Sequence, residues 1–343
     1  MSNPPIAETL AQASELLGRP LTLVGEPLPS GSRHLVLRVR SGDEASAIVK
    51  RRLDPSLSPE ASALMVMGDS SVTPALIAAT PELLIMEDLG DHPHLASLLL
   101  GNDPLAARGG VLAWARSLGV FHRAGLDARA RFLQLVPEHD DYMPGLLAEA
   151  TDDLARRAQD LEIDVRHDFS ALTQINFRTP LQVLSAGDMC PDNNLMSGGR
   201  VHFIDLEFAT LRHVAWDLAY LMAPWPSCWC AWRLPPELVD AALASWRTGF
   251  GAVDWPELER DLRLATDAWR WLAVSWLLPS LATGWPERPD RPAPPVADRI
   301  VDALDELSVS AYLPELRDTA MHFAVAIRAK HSAGRLGVAR AWR

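Results

Sequence analysis

Asp188 and Asn193 stand five residues apart in Ala186-Gly187-Asp188-Met189-Cys190-Pro191-Asp192-Asn193-Asn194-Leu195, and Ile204-Asp205-Leu206-Glu207 brings a further acid twelve residues after Asn193. Phosphoryl transfer asks a protein for such a set: a carboxylate beside the attacking hydroxyl, and amide and carboxylate oxygens to hold magnesium against nucleotide phosphates. Asp188, Asn193 and Asp205 supply it. Taken singly, each is an ordinary turn residue at a strand end. Their order and register, with apolar residues between them, favour the chemical reading.

The same chemistry calls for a cation on the phosphates. Lys50 and Lys330 are the only two lysines among 32 basic residues. Lys50 ends the apolar run Ala47-Ile48-Val49-Lys50, and Glu60 follows ten residues later. In a kinase-type site a strand lysine contacts the α and β phosphates and is held by a helix glutamate. A surface ion pair would contribute at most about 1 kcal/mol and would not select lysine over arginine. In a sequence that otherwise uses arginine, Lys50 and Glu60 read as a functional pair.

These residues need elements to position them. Leu21 to Leu53 alternates in hydropathy, with turns at Ser30-Gly31-Ser32 and Ser41-Gly42-Asp43, and predicts an antiparallel meander. Ser58-Pro59-Glu60 supplies an N-cap and a first-turn proline for a helix carrying Leu64, Met65 and Met67. A strand pair is expected near Ala75 to Ala79 and Leu83 to Met86, ending at Glu87-Asp88-Leu89-Gly90-Asp91. Helices are expected from Asn102-Asp103-Pro104 through His122, over Pro144 to Leu161, and from the capping sequence Asp254-Trp255-Pro256-Glu257 towards Leu278. Short strands flank Ser197-Gly198-Gly199, and the Pro-rich stretch Trp285 to Pro295 reads as a loop. The division that follows is a strand-rich lobe over 1–86, a hinge over 87–92 and a helical lobe over 93–343.

The run from Ala186 to Glu207 resembles the catalytic loop of the aminoglycoside phosphotransferase and choline kinase superfamily, H-G-D-x-x-x-x-N followed by I-D-[WF]-E, and the spacing matches throughout. The resemblance implies an α+β, protein-kinase-like two-lobed fold and the use of ATP and Mg2+. It makes Asp188 the catalytic base or hydroxyl-orienting residue and Asn193 and Asp205 the magnesium ligands. Ala215-Trp216-Asp217-Leu218-Ala219 matches a downstream family segment in which Asp217 would buttress the loop. Leu28 to His34, with Ser30, Gly31 and Ser32, corresponds to the loop over the phosphates; Leu84 to Leu89, with Met86, Glu87 and Leu89, corresponds to the interlobe segment whose backbone meets adenine. The similarity spans roughly residues 20 to 220 in scattered motifs. Ala186 departs from it where histidine braces the loop, and Cys190 departs where a donor faces the transferring phosphoryl group. Two readings stand: a kinase of a small hydroxylated molecule such as an antibiotic, amino alcohol, sugar or nucleoside, and a pseudokinase that binds nucleotide or a partner.

Composition narrows the partners. A net charge of -12 repels nucleic acid, and 48% hydrophobic residues fill a sizeable core. Met1 to Pro20 lacks the pattern of a signal peptide, and the apolar stretch Trp269 to Trp285 is interrupted by Arg270 and Pro279, so a cytoplasmic protein without a membrane partner is expected. Cys190, Cys228 and Cys230 lack a second Cys pair for a zinc site and read as core thiols. Eleven of the twelve tryptophans lie at or after Trp216. Prolines interrupt the segment holding Trp225, Trp229 and Trp232, making these indoles candidates for an acceptor wall beside Asp192 and Glu207. The chain closes on Arg328, Lys330, His331, Arg335, Arg340 and Arg343, which disfavours a polycationic acceptor.

Overall fold

The computed structural model describes residues 6–30, 33–53, 58–68, 70–137, 141–160, 180–226, 228–284 and 291–343, with Ile163, Leu172, Ile175 and Phe177. Strands β1 (Thr22–Leu23), β2 (His34–Arg40), β3 (Ala47–Arg52), β4 (Leu76–Ala79) and β5 (Leu83–Glu87) form one antiparallel sheet in the order β1-β2-β3-β5-β4. Alternation along β2 buries Leu35, Leu37 and Val39, which join Val49 and Ile85 against Ala13 of helix α1 (Ile6–Leu17). The sequence reading did not place α1. The other face of β3 carries Ile48 and packs with Ala63, Leu64 and Met67 of helix α2 (Glu60–Met67) in the larger core. Lys50 shares that face by the two-residue period of a strand, so it projects beneath α2. Ser58 Oγ accepts the Glu60 N–H at 3.1 Å, and the helix begins at Glu60 rather than at Pro59.

Beyond β5 the chain is mainly helical: α3 (Leu95–Leu99), α4 (Pro104–Leu135), α5 (Met143–Asp160), α6 (Val214–Met222), α7 (Pro236–Phe250), α8 (Trp255–Leu277), α9 (Ser280–Thr283), α10 (Val296–Ser308) and α11 (Arg317–Lys330). Asp103 accepts the Leu105 and Ala106 N–H groups at 2.9 and 3.0 Å, and Pro104 occupies the first turn, where its missing N–H costs nothing. Helix α4 continues past His122 to Leu135, because Phe132 remains fully buried and holds another turn on the core. Asp254 caps α8 through the Glu257 N–H at 3.4 Å. Leu161, the expected end of α5, lies outside the described residues.

Two antiparallel ribbons rest beside α4: β6 (Gln182–Ser185) with β9 (Thr210–His213), and β7 (Asn194–Ser197) with β8 (Arg200–Phe203). The approach is close at Gly125 of α4, where an added Cβ would stand 2.5 Å from the Leu184 carbonyl oxygen. The segments 186–193 and 204–209 run between these ribbons, so both candidate loops emerge at one edge of the helical part. No described helix is long and apolar enough to cross a membrane.

Candidate active site

The loop after β6 is pinned by its own backbone. Gly187 has φ +81°, and a Cβ there would come 2.0 Å from the Phe208 carbonyl oxygen, so glycine is required by both conformation and space. Asp188 Oδ1 accepts the Cys190 N–H at 3.1 Å, and the Asn193 N–H donates to the Cys190 carbonyl at 3.0 Å. Buried Asn194 donates from Nδ2 to the same carbonyl at 3.3 Å and accepts the Leu95 N–H at 3.1 Å, tying the loop to the start of α3. The Ile204 N–H donates to the Asn193 carbonyl at 3.1 Å, which sets Asn193 beside Asp205 across the base of the β7–β8 hairpin. Among the described residues the Asn193 side chain makes no hydrogen bond. Burial pushes the Asp188 carboxyl above its ordinary value; the Cys190 thiol and N–H oppose this, and Asp192 and Asp205 add to it.

Lys50 reaches this loop from the sheet. Its Nζ donates to Glu60 Oε2 at 2.8 Å, to Glu60 Oε1 at 3.0 Å and to Asp205 Oδ1 at 2.8 Å. Lys50 and Glu60 are 5% and 3% exposed, whereas the Asp205 side chain is 31% exposed and lines the cleft. Burial alone would lower the ammonium pKa, but Glu60 and Asp205 outweigh it and hold it above the ordinary lysine value. Glu60 Oε1 also accepts the Leu206 N–H at 3.3 Å, so one helix residue grips both the lysine and the backbone after Asp205. Glu207 is pushed up to about 7 by burial, with Asp205 adding, although Lys50 and Arg33 lie near. Carboxylates outnumber cations around Lys50. A hard divalent cation fits such an excess, and Asp205 and Asn193 offer the oxygen donors it takes.

Beneath the loop lies a buried polar chain. Asp217, fully buried, bonds His122 Nε2 through Oδ2 at 2.8 Å and Arg212 through Oδ1. Arg212 Nε donates to Ser185 Oγ at 3.0 Å, and that oxygen also accepts the Gly187 N–H at 3.0 Å. Trp246 Nε1 donates to His122 Nδ1 at 3.0 Å, so the neutral imidazole carries its proton on Nε2 and donates it to Asp217. Burial would push the Asp217 carboxyl up, but Arg212 and His122 bring it down to about 2. Asp217 therefore lies under the loop, acting on Gly187 through Arg212 and Ser185. Ser185, Arg212, His122 and Asn194 were not singled out from the sequence. The available signals were a charge inside strand β9 and a histidine on the apolar face of α4.

The remaining expected residues divide. Asp88 fastens the chain after β5 to the sheet through Arg38 at 2.7 Å and Ser46 at 2.6 Å. Met86 is buried opposite Ile48, Glu87 is exposed at the strand end, and no hydrogen bond engages the Leu89 backbone among the described residues. Ser30 Oγ donates to the His34 carbonyl at 2.8 Å, whereas Gly31 and Ser32 lie outside the described residues. Arg33 pairs with Glu207 and lies 5.0 Å over the Phe208 ring, so the turn before β2 touches the segment after Asp205. Trp225, expected on an acceptor wall, is instead a core residue: it is 0% exposed and meets Trp114 edge-on at 5.8 Å. Trp232 is covered by the Arg343 guanidinium at 4.1 Å. Trp229 adjoins the catalytic loop, donating from Nε1 to Asp192 Oδ2 at 2.7 Å. A cavity of about 290 Å³ lined by Leu221, Pro224, Arg233, Arg270 and Asp302 includes no residue of that loop.

Lys50 of the sheet paired with Glu60 of α2, beside a mainly helical part that carries Asp188, Asn193 and Asp205, is the arrangement of a kinase-like two-lobed fold. The profile of the phosphotransferase enzyme family matches residues 24–259, and the chain belongs to that family. The fold is similar to that of a macrolide 2'-phosphotransferase from Brachybacterium faecium, with a TM-score of 0.52 and 19% identity over 82% of this chain and 94% of that one. It is similar to a choline/ethanolamine kinase family protein from Mesorhizobium loti, with a TM-score of 0.53 and 16% identity over 94% and 99% of the two chains. A spectinomycin phosphotransferase solved with ADP and spectinomycin aligns with a TM-score of 0.51 and 11% identity over 81% of this chain and 90% of that one. No curated protein matches the sequence.

Proposed function

We propose that this phosphotransferase moves the terminal phosphoryl group of ATP, with Mg2+, onto the hydroxyl of a small molecule. The observation that carries the reading is Lys50 Nζ held between buried Glu60 and cleft-lining Asp205, at 2.8 Å from each. An ammonium fixed there by two carboxylates is a preorganised contact for the α and β phosphates. Asn193 and Asp205 would hold the metal, which would supply positive charge against the phosphates. Asp188 orients the acceptor hydroxyl and takes its proton; its raised pKa makes it a stronger proton acceptor than an ordinary carboxylate. The free backbone edge at Leu89 meets the adenine. The buried brace from His122 to Ser185 keeps the loop rigid and supports turnover over a purely binding role.

The acceptor is of moderate size and carries few positive charges. Trp229 provides flat apolar surface at the loop, and the segment 328–343 carries Arg328, Lys330, Arg335, Arg340 and Arg343 and no acid. Asp188→Asn tests the central assignment: acceptor phosphorylation should fall roughly 10² to 10⁴-fold with Mg-nucleotide binding retained. Turnover at the unmodified rate removes Asp188 from the chemistry. An acceptor screen read by nucleotide consumption should favour weakly charged alcohols, and efficient turnover of a multiply charged aminoglycoside overturns the charge argument.

A further inference from the structure

Cys190 and Cys228 converge with Asp192, and Cys230 lies against Cys228. Cys190 comes from the loop after β6, and Cys228 and Cys230 from the segment between α6 and α7; each is buried. Cys228 Sγ is 3.1 Å from Cys230 Sγ. Cys190 Sγ, Cys228 Sγ and a carboxylate oxygen of Asp192 all lie within 4.8 Å of one another, with Cys228 Sγ 3.7 Å from Asp192 Oδ1. Buried thiols alone would be unremarkable, since cysteine packs as a small apolar residue. A half-buried carboxylate with one oxygen turned towards two thiols is not what apolar packing produces.

The surroundings are those of a held ligand. The second Asp192 oxygen, Oδ2, accepts the Trp229 indole N–H at 2.7 Å and stands 3.6 Å from Arg291, which leaves Oδ1 directed at the thiols. Metal-bound carboxylates are commonly fixed by outer partners of this sort. Behind the sulfurs, buried Arg299 donates to the carbonyls of Cys228 and Pro226 at 2.8 and 2.9 Å, adding positive charge beside a group of thiolates.

We infer that Cys190, Cys228 and Asp192 form a site for a divalent cation of the zinc class. Bonds of about 2.3 Å to sulfur and about 2.0 to 2.2 Å to carboxylate oxygen place the ligand atoms of a tetrahedral site some 3.3 to 3.8 Å apart. The spacing of 3.7 Å between Cys228 Sγ and Asp192 Oδ1 lies in that range. On binding, each thiol gives its proton to solvent and the thiolate takes the metal. Cys190, Cys228 and Asp192 supply three of the four positions of a tetrahedral site, and Cys230 Sγ, 3.1 Å from Cys228 Sγ, stands outside that group. Thiolates select the softer cation, while the oxygen donors Asn193 and Asp205 suit magnesium, so the two sites do not compete. Cys190 and Asp192 sit between Asp188 and Asn193, and the ion clamps the catalytic loop to the segment after α6.

The test needs neither nucleotide nor acceptor and is therefore independent of the proposed activity. The full chain, reduced and stripped with chelator, is titrated with Co2+. One equivalent should produce a sulfur-to-cobalt charge-transfer band and the strong visible bands of a tetrahedral site, both bleached by Zn2+. Cys190→Ser and Cys228→Ser should each abolish the charge-transfer intensity or markedly reduce it. Trp229→Phe keeps every ligand and should weaken affinity roughly 10 to 100-fold, a measurement that survives if a cysteine variant misfolds. Absence of the band at stoichiometric Co2+, or a band that persists in Cys190→Ser/Cys228→Ser, overturns the site.

Discussion

Replacing Lys50 with Met keeps most of the side-chain volume and removes only the ammonium. Glu60, 3% exposed, is then left facing Asp205 without the nitrogen that stood 2.8 Å from each. Removing one partner from a buried ion pair costs about 3 to 5 kcal/mol, because the remaining charge has neither water nor a counter-ion. Against a typical stability of roughly 5 to 15 kcal/mol, the variant should fold but be marginal. The loss should depend on pH. Burial already pushes Glu60 above its ordinary value of 4.5, with Lys50 opposing, and removing Lys50 raises it further. A carboxyl with a raised folded-state pKa contributes stability that is present below its unfolded value and lost as pH rises through the folded value. Lys50→Met should therefore be weakest near pH 8 and recover towards pH 5, at up to about 1.4 kcal/mol per pH unit while Glu60 titrates. Glu60→Gln in the same chain should restore most of the loss at pH 8. Urea unfolding of the four members of the Lys50/Glu60 cycle at both pH values measures this. A Lys50→Met loss equal at pH 5 and pH 8, or no rescue by Glu60→Gln, refutes a buried charge pair as the organising contact.

Asp205→Ala and Asn193→Ala should each raise the Mg2+ concentration needed for nucleotide binding, measured by titration at fixed nucleotide, and an unchanged Mg2+ dependence in both removes them as ligands. Glu207 has a folded-state value near 7 against an ordinary 4.5, so wild-type stability should fall by up to about 3 kcal/mol relative to Glu207→Gln as pH rises between those values. Paired denaturation curves at pH 4.5 and 7.5 read that difference. Asp217→Ala strands the buried Arg212 guanidinium and should cost about 3 to 5 kcal/mol, seen as a large drop in Tm.

What was legible in the sequence is what local chemistry determines. The β2 alternation, the caps at Asp103 and Asp254, and the turn at Ser197-Gly198-Gly199 each depend on a few neighbouring residues, and each stands where the pattern put it. Lys50 was legible because lysine is rare in this chain, and its bond to Glu60 spans only ten positions. The illegible parts are contacts between distant residues. His122 meets Asp217 across 95 positions, and Cys228 meets Asp192 across 36, and neither pairing leaves a mark in local periodicity. Helix α1 escaped because its apolar residues make sense only against the far face of a sheet not yet assembled. Trp225 misled for a related reason: prolines do break the helix, but the loop then folds its indole inward on Trp114.

The two departures from the family pattern acquire a physical account from these distant contacts. A histidine at position 186 would brace the loop from within; here Ala186 is buried, and the work passes to Ser185, whose oxygen takes the Gly187 N–H and is itself oriented by Arg212. That arrangement stays rigid only if every member is satisfied, and Asp217, His122 and Trp246 complete it in turn. Cys190 departs in the opposite sense. Its thiol is engaged with Asp188 and lies beside Cys228 and Asp192, and a thiol is a weak donor for a transferring phosphoryl group. On the proposed mechanism, Lys50 and a divalent cation would supply the positive charge at the phosphoryl group. Substitutions at Lys50 and Asp205 should therefore be more damaging here than the loss of one contact among several, whereas substitutions at Cys190 should act through the order of the loop.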